Sequence, residues 1–161
     1  MTKKEQFAII YEQHQEKVFR MCKSYFKGEV NTANDTVQEV FIKIWQHLES
    51  FRNESRISTW IYRITVNCCL LHKRKSAVKK EIPMQELPDE IQLDYNPIEE
   101  EQLKKMYTCI GQLEATDRLI ITMILEGMDY GEITDIIGIT GDTLRVRIHR
   151  IKKKLTNCVQ L

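Results

Sequence analysis

Apolar side chains recur every three or four positions along almost the whole chain, and that spacing restricts the fold more than any other feature. Phe7, Ile10, Tyr11, Val18, Met21, Cys22 and Tyr25 share one helical face with His14, and Val37, Val40, Phe41, Ile44, Trp45 and Leu48 repeat the pattern. This is the period of an α-helix with one buried side, not the alternation of a half-buried strand. Six glycines and three prolines in 161 residues are too few for a turn-rich β protein. The reading is all-α. The periodicity lapses between residues 76 and 97, where Pro83, Pro88 and Pro97 fall, so the chain divides into two small helical domains, 1–75 and 98–161, joined by a flexible linker. Asn96-Pro97 followed by Glu99-Glu100-Glu101 is a helix start, with proline in the first turn and carboxylates at the positive end of the macrodipole.

Charge is distributed by segment. Lys and Arg number 24 against 23 Asp and Glu, a net +1 that excludes a uniformly basic nucleic-acid coat. Residues 52–75 nevertheless carry six bases and one acid, and residues 143–155 carry six bases and no acid. Acids concentrate in 76–105 and again in 117–142, where six of them face one Arg. Two anion-binding surfaces are therefore available on a nearly neutral chain.

The amino terminus has no signal-peptide core, and no stretch is long and apolar enough for membrane insertion. The five cysteines are odd in number and lack paired metal spacing, which fits a reduced, cytoplasmic protein. Cys68 and His72 lie four apart, without the second cluster a zinc site needs. No carboxylate pair, phosphate loop or nucleophile-base pattern points to an enzyme, a cofactor or a small-molecule substrate.

Opposite the apolar stripe of the second helix, Asp35, Gln38, Glu39, Ile42 and Gln46 cluster on one side. Ile42 has nothing in its own helix to cover it, which marks a candidate protein-docking face. A polar loop, Phe51 to Ile57, precedes a helix from about Ser58 to Arg74 whose buried side is Ile61, Ile64, Cys68 and Leu71. Arg63, Asn67 and Arg74 share another side, Lys73-Arg74-Lys75 closes the helix, and Trp60, Tyr62 and Phe51 are available for packing or stacking.

In the carboxyl-terminal domain, Ile98, Met106, Tyr107, Ile110 and Leu113 line one helix and Leu119 to Leu125 forms a second. Asp129 caps a short helix buried through Ile133, Ile136 and Ile137 and ended by Gly138; Thr140 caps the next, buried through Leu144, Ile148, Ile151 and Leu155. A short helix, a glycine turn and a capped basic helix make a helix-turn-helix. Its outward side chains Arg145, Val146, His149 and Arg150 suit base edges, and Lys152, Lys153 and Lys154 suit phosphates. Neutralising about five phosphates gives a log-log salt slope of roughly −4.5.

These motifs resemble, in order, those of the extracytoplasmic-function (ECF) sigma factors of bacterial RNA polymerase, within the sigma-70 family. Asp35-Thr36-Val37-Gln38-Glu39-Val40-Phe41-Ile42-Lys43-Ile44-Trp45 resembles the core-polymerase-binding helix. Phe51-Arg52-Asn53-Glu54-Ser55, with Ser58 to Ile64 and Asn67, resembles the segment that reads the minus-ten element. Tyr130 to Arg150 resembles the helix-turn-helix that reads the minus-thirty-five element.

The resemblance implies a region 2 domain over 1–75, an acidic linker over 76–97 and a region 4 domain over 98–161. It implies that Asp35, Gln38, Glu39 and Ile42 contact core polymerase. Arg52, Asn53, Ser55, Trp60, Arg63, Asn67, Lys73 and Arg74 would take minus-ten DNA, Asn53 lining a pocket for an extruded base. Thr143, Arg145, Val146, His149, Arg150 and Lys153 would take minus-thirty-five DNA. The linker acids Glu86, Asp89, Glu90 and Asp94 would thread towards the transcript path, and an anti-sigma factor would be a further partner. Gly131, Thr134 and Gly141 depart from the family pattern in the helix-turn-helix, and Arg56-Ile57-Ser58 departs from it in the loop.

The competing reading is a stand-alone helix-turn-helix regulator binding duplex DNA as a dimer, which has no need of the Asp35/Gln38/Glu39/Ile42 face. The net charge predicts weak DNA binding by the isolated chain.

Overall fold

A computed structural model describes residues 1–76 and 97–160, with side chains over 1–72 and 97–160. The expected linker lies almost wholly outside the described residues, as do the side chains of Lys73 and Arg74. The described elements are α1 (Lys3–Tyr25), α2 (Val30–His47), a single 3₁₀ turn (Leu48–Ser50), α3 (Ile57–Ser76), α4 (Pro97–Gly111), α5 (Ala115–Leu125), α6 (Tyr130–Ile137) and α7 (Gly141–Gln160). No strand occurs among the described residues. The all-α reading holds.

The first three helices make one bundle. The Thr2 hydroxyl accepts from the Glu5 amide at 3.1 Å while the Glu5 carboxylate accepts from the Thr2 amide, a capping box that starts α1. Val18, Met21, Cys22, Tyr25, Ala33, Val40, Ile44, Ile61 and Cys69 are buried between α1, α2 and α3. The apolar spacing overstated burial at three places. Trp45 is 40% exposed, packed edge-on to Phe7 and topped by the Lys3 ammonium at 4.3 Å. Tyr11, edge-on to Phe41 with ring centres 4.8 Å apart, and Leu71 are exposed to a similar degree. α3 begins one residue earlier than the sequence suggests, which puts Ser58 inside its first turn.

The remaining helices make a second bundle, with α7 packed on α4, α5 and α6. The cap at Asp129 forms as expected, its carboxylate accepting from the Glu132 amide at 2.8 Å. Gly138 closes α6 in a left-handed conformation, φ 82°, which needs a residue without Cβ, and the Thr140 hydroxyl accepts from the Thr143 amide at 3.2 Å to start α7. Leu144, Ile148, Ile151 and Leu155 form the buried seam. In α4 only the end is covered: Cys109 and Ile110 are buried, whereas Ile98, Met106 and Tyr107, read from the sequence as part of the same buried stripe, are exposed.

The cysteine reading takes a correction. Cys109 of α4 and Cys158 of α7 form a disulfide across 49 residues of sequence. The odd total concealed this pair, because only the packing of α4 on the last turns of α7 brings the two residues together. Cys22, Cys68 and Cys69 are free and buried, and burial raises the Cys68 thiol to about 11.

The two bundles are also docked on each other, α1 against α5 and α3 against α6. Arg20 of α1 donates through Nε and Nη2 to the two carboxylate oxygens of Glu126, at 2.7 and 2.9 Å. Arg118 of α5 is 7% exposed; its guanidinium lies 4.8 Å from the centre of the Tyr25 ring and donates to the Leu113 carbonyl at 2.7 Å.

Candidate nucleic-acid and polymerase interface

α2 presents the first candidate face. Asp35, Gln38 and Ile42 are exposed, Ile42 at 56%, while Val40, Phe41 and Ile44 on the other side are buried. Glu39 is half-buried and pairs with Lys43 at 3.9 Å. The four residues singled out by the sequence thus share one surface of one rigid helix. An apolar side chain ringed by polar ones on such a surface suits a protein partner, because burying it removes apolar area from water at little conformational cost.

The second candidate site joins the 51–56 loop to the start of α3. Arg52 and Asn53 are exposed, and Asn53 adopts φ 57°, a left-handed conformation that asparagine accepts more readily than most residues. Ser55 is half-buried, and Phe51 packs on Trp60 with ring centres 4.9 Å apart. Trp60 is therefore neither wholly core nor free: one face is used by Phe51. Arg63 and Asn67 are exposed one turn apart on α3.

His14, placed by its spacing at the core boundary, is half-buried beside the Tyr62 hydroxyl at 3.3 Å. Burial, and then the nearby Lys17, lower its pKa; burial raises the Tyr62 hydroxyl to about 12.

Loop and helix form one wall of a cleft of about 710 Å³. Arg52, Arg56, Trp60 and Arg63 line that wall, and Asp129, Glu132 and Asp135 of the second bundle line the other. Arg63 Nε donates to the Asp135 carbonyl oxygen at 2.8 Å, and Arg56 lies 3.7 Å from the Glu132 carboxylate. Sequence reasoning did not find these cross-bundle partners, nor Arg20 and Glu126. The six acids between 117 and 142 were the available signal, since an acidic stretch in a chain with basic surfaces has somewhere to dock.

The third site is the outer face of α7. Thr143, Arg145, Val146, His149, Arg150 and Lys153 are all exposed, with Val146 at 50%, while the seam beneath them is buried. Arg145 pairs with Asp142 at 3.0 Å, and Arg147, nearer the core, reaches Asp117 of α5 at 3.8 Å. The first pair is one turn apart on an exposed surface and yields readily to a stronger acceptor. No cluster of metal-ligating side chains occurs among the described residues.

These three surfaces on two helical bundles define the layout of a transcription initiation factor, and the comparisons with known proteins give the family. Residues 10–78 match the model for Sigma-70 region 2, and residues 103–155 match that for Sigma-70, region 4. The chain is 31% identical to the ECF RNA polymerase sigma-E factor of Escherichia coli, over 96% of this chain and 86% of that one. It is 28% identical to the sigma-E factor of Haemophilus influenzae, over 98% and 89%.

Among solved structures it resembles the sigma factor RpoE of Bartonella quintana in complex with the anti-sigma factor NepR, at 19% identity, TM-score 0.79 and 98% of both chains. It also resembles CnrH in complex with the cytosolic domain of CnrY, at 19% identity, TM-score 0.72, 98% of this chain and 89% of that one. The chain belongs to the ECF sigma factors of bacterial RNA polymerase. It is a sigma factor rather than a stand-alone helix-turn-helix regulator, a non-enzymatic initiation factor that binds core polymerase and promoter DNA.

Proposed function

We propose that the division of labour follows the three surfaces. The region 2 domain spans 1–75 and the region 4 domain 98–161, with the linker between them. Asp35, Gln38, Glu39 and Ile42 dock on core polymerase. Arg52, Asn53, Ser55, Trp60, Arg63, Asn67, Lys73 and Arg74 take minus-ten DNA, Asn53 offering amide hydrogen bonds to an extruded base and the Phe51–Trp60 pair a stacking platform. Thr143, Arg145, Val146, His149, Arg150 and Lys153 enter the major groove at the minus-thirty-five element. The work is cytoplasmic, where polymerase and promoter are. An anti-sigma factor is the regulatory partner, a reading supported by the structural relative RpoE, which was solved in complex with the anti-sigma factor NepR.

The observation that carries the proposal is the exposed Ile42 within the Asp35, Gln38 and Glu39 surface, since a freely acting DNA-binding protein has no use for it. The test is reconstitution of the full chain with bacterial core polymerase and run-off transcription from genomic fragments. Ile42→Glu is expected to weaken core binding by roughly tenfold or more, about 1.4 kcal/mol, with the fold intact by circular dichroism. Unchanged core binding in both Ile42→Glu and Asp35→Arg overturns the assignment of this surface.

A further inference from the structure

The disulfide of the second bundle is at odds with the place where this protein works. Lasting disulfides are rare in a reducing cytoplasm, and those that occur there are mostly transient and redox-sensing. Cys109 and Cys158 have the construction that such a use needs. Their Cα atoms are 5.9 Å apart on two helices that pack together, so the sulfurs meet without a rearrangement of the backbone. Cys109 is 4% exposed, whereas Cys158 is half-buried, and the exposed Gln112 brings its Oε1 to 3.8 Å from the Cys158 sulfur. One sulfur is reachable from solvent and the other lies behind it.

The remaining thiols are enclosed. Cys22 and Cys69 are buried in the α1–α3 core with their sulfurs 3.9 Å apart, and Cys68 is buried as well. The hydrogen bond with Cys22, and then burial, raises the Cys69 thiol, and burial raises Cys68, so neither supplies the thiolate that reacts with an oxidant. An oxidant therefore meets the α4–α7 pair first.

The position of the cross-link gives it leverage. Within α4 only Cys109 and Ile110 are buried, while Leu103, Met106 and Tyr107 are exposed, so burial holds this helix through its last turn. The disulfide sits in that turn and ties it to α7, whose outer face carries Arg145 and Arg150. In a bundle below about 70–80 residues the core supplies little more stability than one cross-link does, so loss of the bond moves a measurable fraction of chains out of the DNA-competent arrangement.

We propose that Cys109 and Cys158 form a thiol–disulfide modification site, at which a low-molecular-weight disulfide of the glutathione class strengthens minus-thirty-five recognition by locking α4 onto α7. This rests on the assignment of α7 to minus-thirty-five DNA and on the cytoplasmic setting. The Cys158 thiolate attacks one sulfur of the small disulfide, a mixed disulfide forms and one small thiolate leaves. The Cys109 thiolate then attacks the Cys158 sulfur and expels the second small thiolate. Two cysteine thiols are oxidised, one small disulfide is reduced to two thiols, and the two protons lost by the cysteines end on those thiols.

The test equilibrates the full chain in buffers running from reduced to oxidised glutathione, with alkylation and peptide mass reading the state of each cysteine. At each ratio amide hydrogen exchange reads α4 and α7, and run-off transcription with core polymerase on genomic fragments reads function. On oxidation the pair is expected to close before Cys22, Cys68 or Cys69 changes, and exchange in α4 and the last turns of α7 to slow. Transcription is expected to rise roughly fivefold, the reciprocal of a competent fraction of about one fifth in the reduced chain. Cys109→Ser/Cys158→Ser is expected to stay at the reduced level in every buffer, which removes any response of the polymerase itself. Cys158→Ser alone leaves the buried Cys109 in place and should give the same level, and circular dichroism checks the fold of both.

Level transcription in the parent while the pair closes overturns the switch. So does a pair that holds one state across all ratios, or a double variant that responds as the parent does. Arg150→Ala separates the two readings. If it lowers transcription in oxidised buffer, the assignment of α7 to DNA stands whatever the redox result; if it does not, that assignment falls and the promoter-reading role of the switch falls with it.

Discussion

α3 and α7 are both assigned to DNA, are both twenty residues long and both carry basic side chains on the side away from their own bundle. They differ in what the other bundle contributes to that side. On α7 the row from Thr143 to Lys153 is exposed. On α3 Arg63 and Asn67 are exposed as well, but Arg63 also donates to a carbonyl of the other bundle. A helix read against closed duplex can stay permanently available, because specificity comes from base edges that are always displayed in the major groove.

The comparison is tested hardest at the covalent level, since only region 4 carries a disulfide among the described residues. Closing a 49-residue loop is worth about 4 kcal/mol in the chain-entropy model. The double variant Cys109→Ser/Cys158→Ser should lose about that much in urea unfolding of the α4–α7 bundle in oxidising buffer, with the α1–α3 bundle unmoved. In dithiothreitol the parent chain should fall to the level of the variant. A loss shared equally by both bundles would show that they unfold as one unit.

Next in size is Arg150→Ala. If Arg150 bonds a guanine edge, its removal should cost about 2 kcal/mol in holoenzyme binding to a promoter fragment and relax preference at one base pair. Single-strand binding should be untouched. Lys153→Ala should instead weaken all duplexes alike and make the salt slope shallower by about 1. Equal effects of the two variants across sequences would remove the distinction between base-reading and phosphate-holding positions on α7.

Two smaller predictions bear on stability. A Cβ at Gly141 meets nothing within 4 Å, whereas one at Gly131 lies 3.3 Å from the Asp129 capping oxygen. Gly141→Ala should therefore stabilise the second bundle by about 0.5–1 kcal/mol. Gly131→Ala should gain less than Gly141→Ala, both read as shifts in the urea midpoint.

The smallest effect is confined to α1–α3. His14 has a lowered pKa in the folded chain, from burial first and Lys17 second, so the unfolded chain binds the proton more readily. Stability should fall as pH drops through the ordinary histidine range near 6.5, and His14→Gln should flatten that dependence in melts between pH 7.5 and 5.5. An identical pH slope in the variant would assign the dependence elsewhere.

Much of the site was legible beforehand because it is local. Asp35, Gln38, Glu39 and Ile42 share a face by the 100° step of a helix, and the Asp129, Gly138 and Thr140 signals set the limits of α6 and α7 by hydrogen bonds spanning three or four residues. What escaped is non-local. The exposure of Trp45, Tyr11, Leu71 and the first half of α4 depends on where neighbouring helices lie, which periodicity does not report. Asn53 gave no sign of its left-handed backbone, since asparagine also accepts the ordinary regions.

The sequence by itself determined the helices, the two apolar seams and the three ordered motifs, because each rests on spacing within a few turns of one chain segment. The tertiary structure alone decided which distant residues meet: Cys109 with Cys158, Arg20 with Glu126, and Arg63 with the carbonyl of Asp135. Those contacts join positions 49, 106 and 72 residues apart. The physical reason is that a guanidinium or a thiol accepts many partners, and only the packing of one helix on another selects which of them comes within bonding distance.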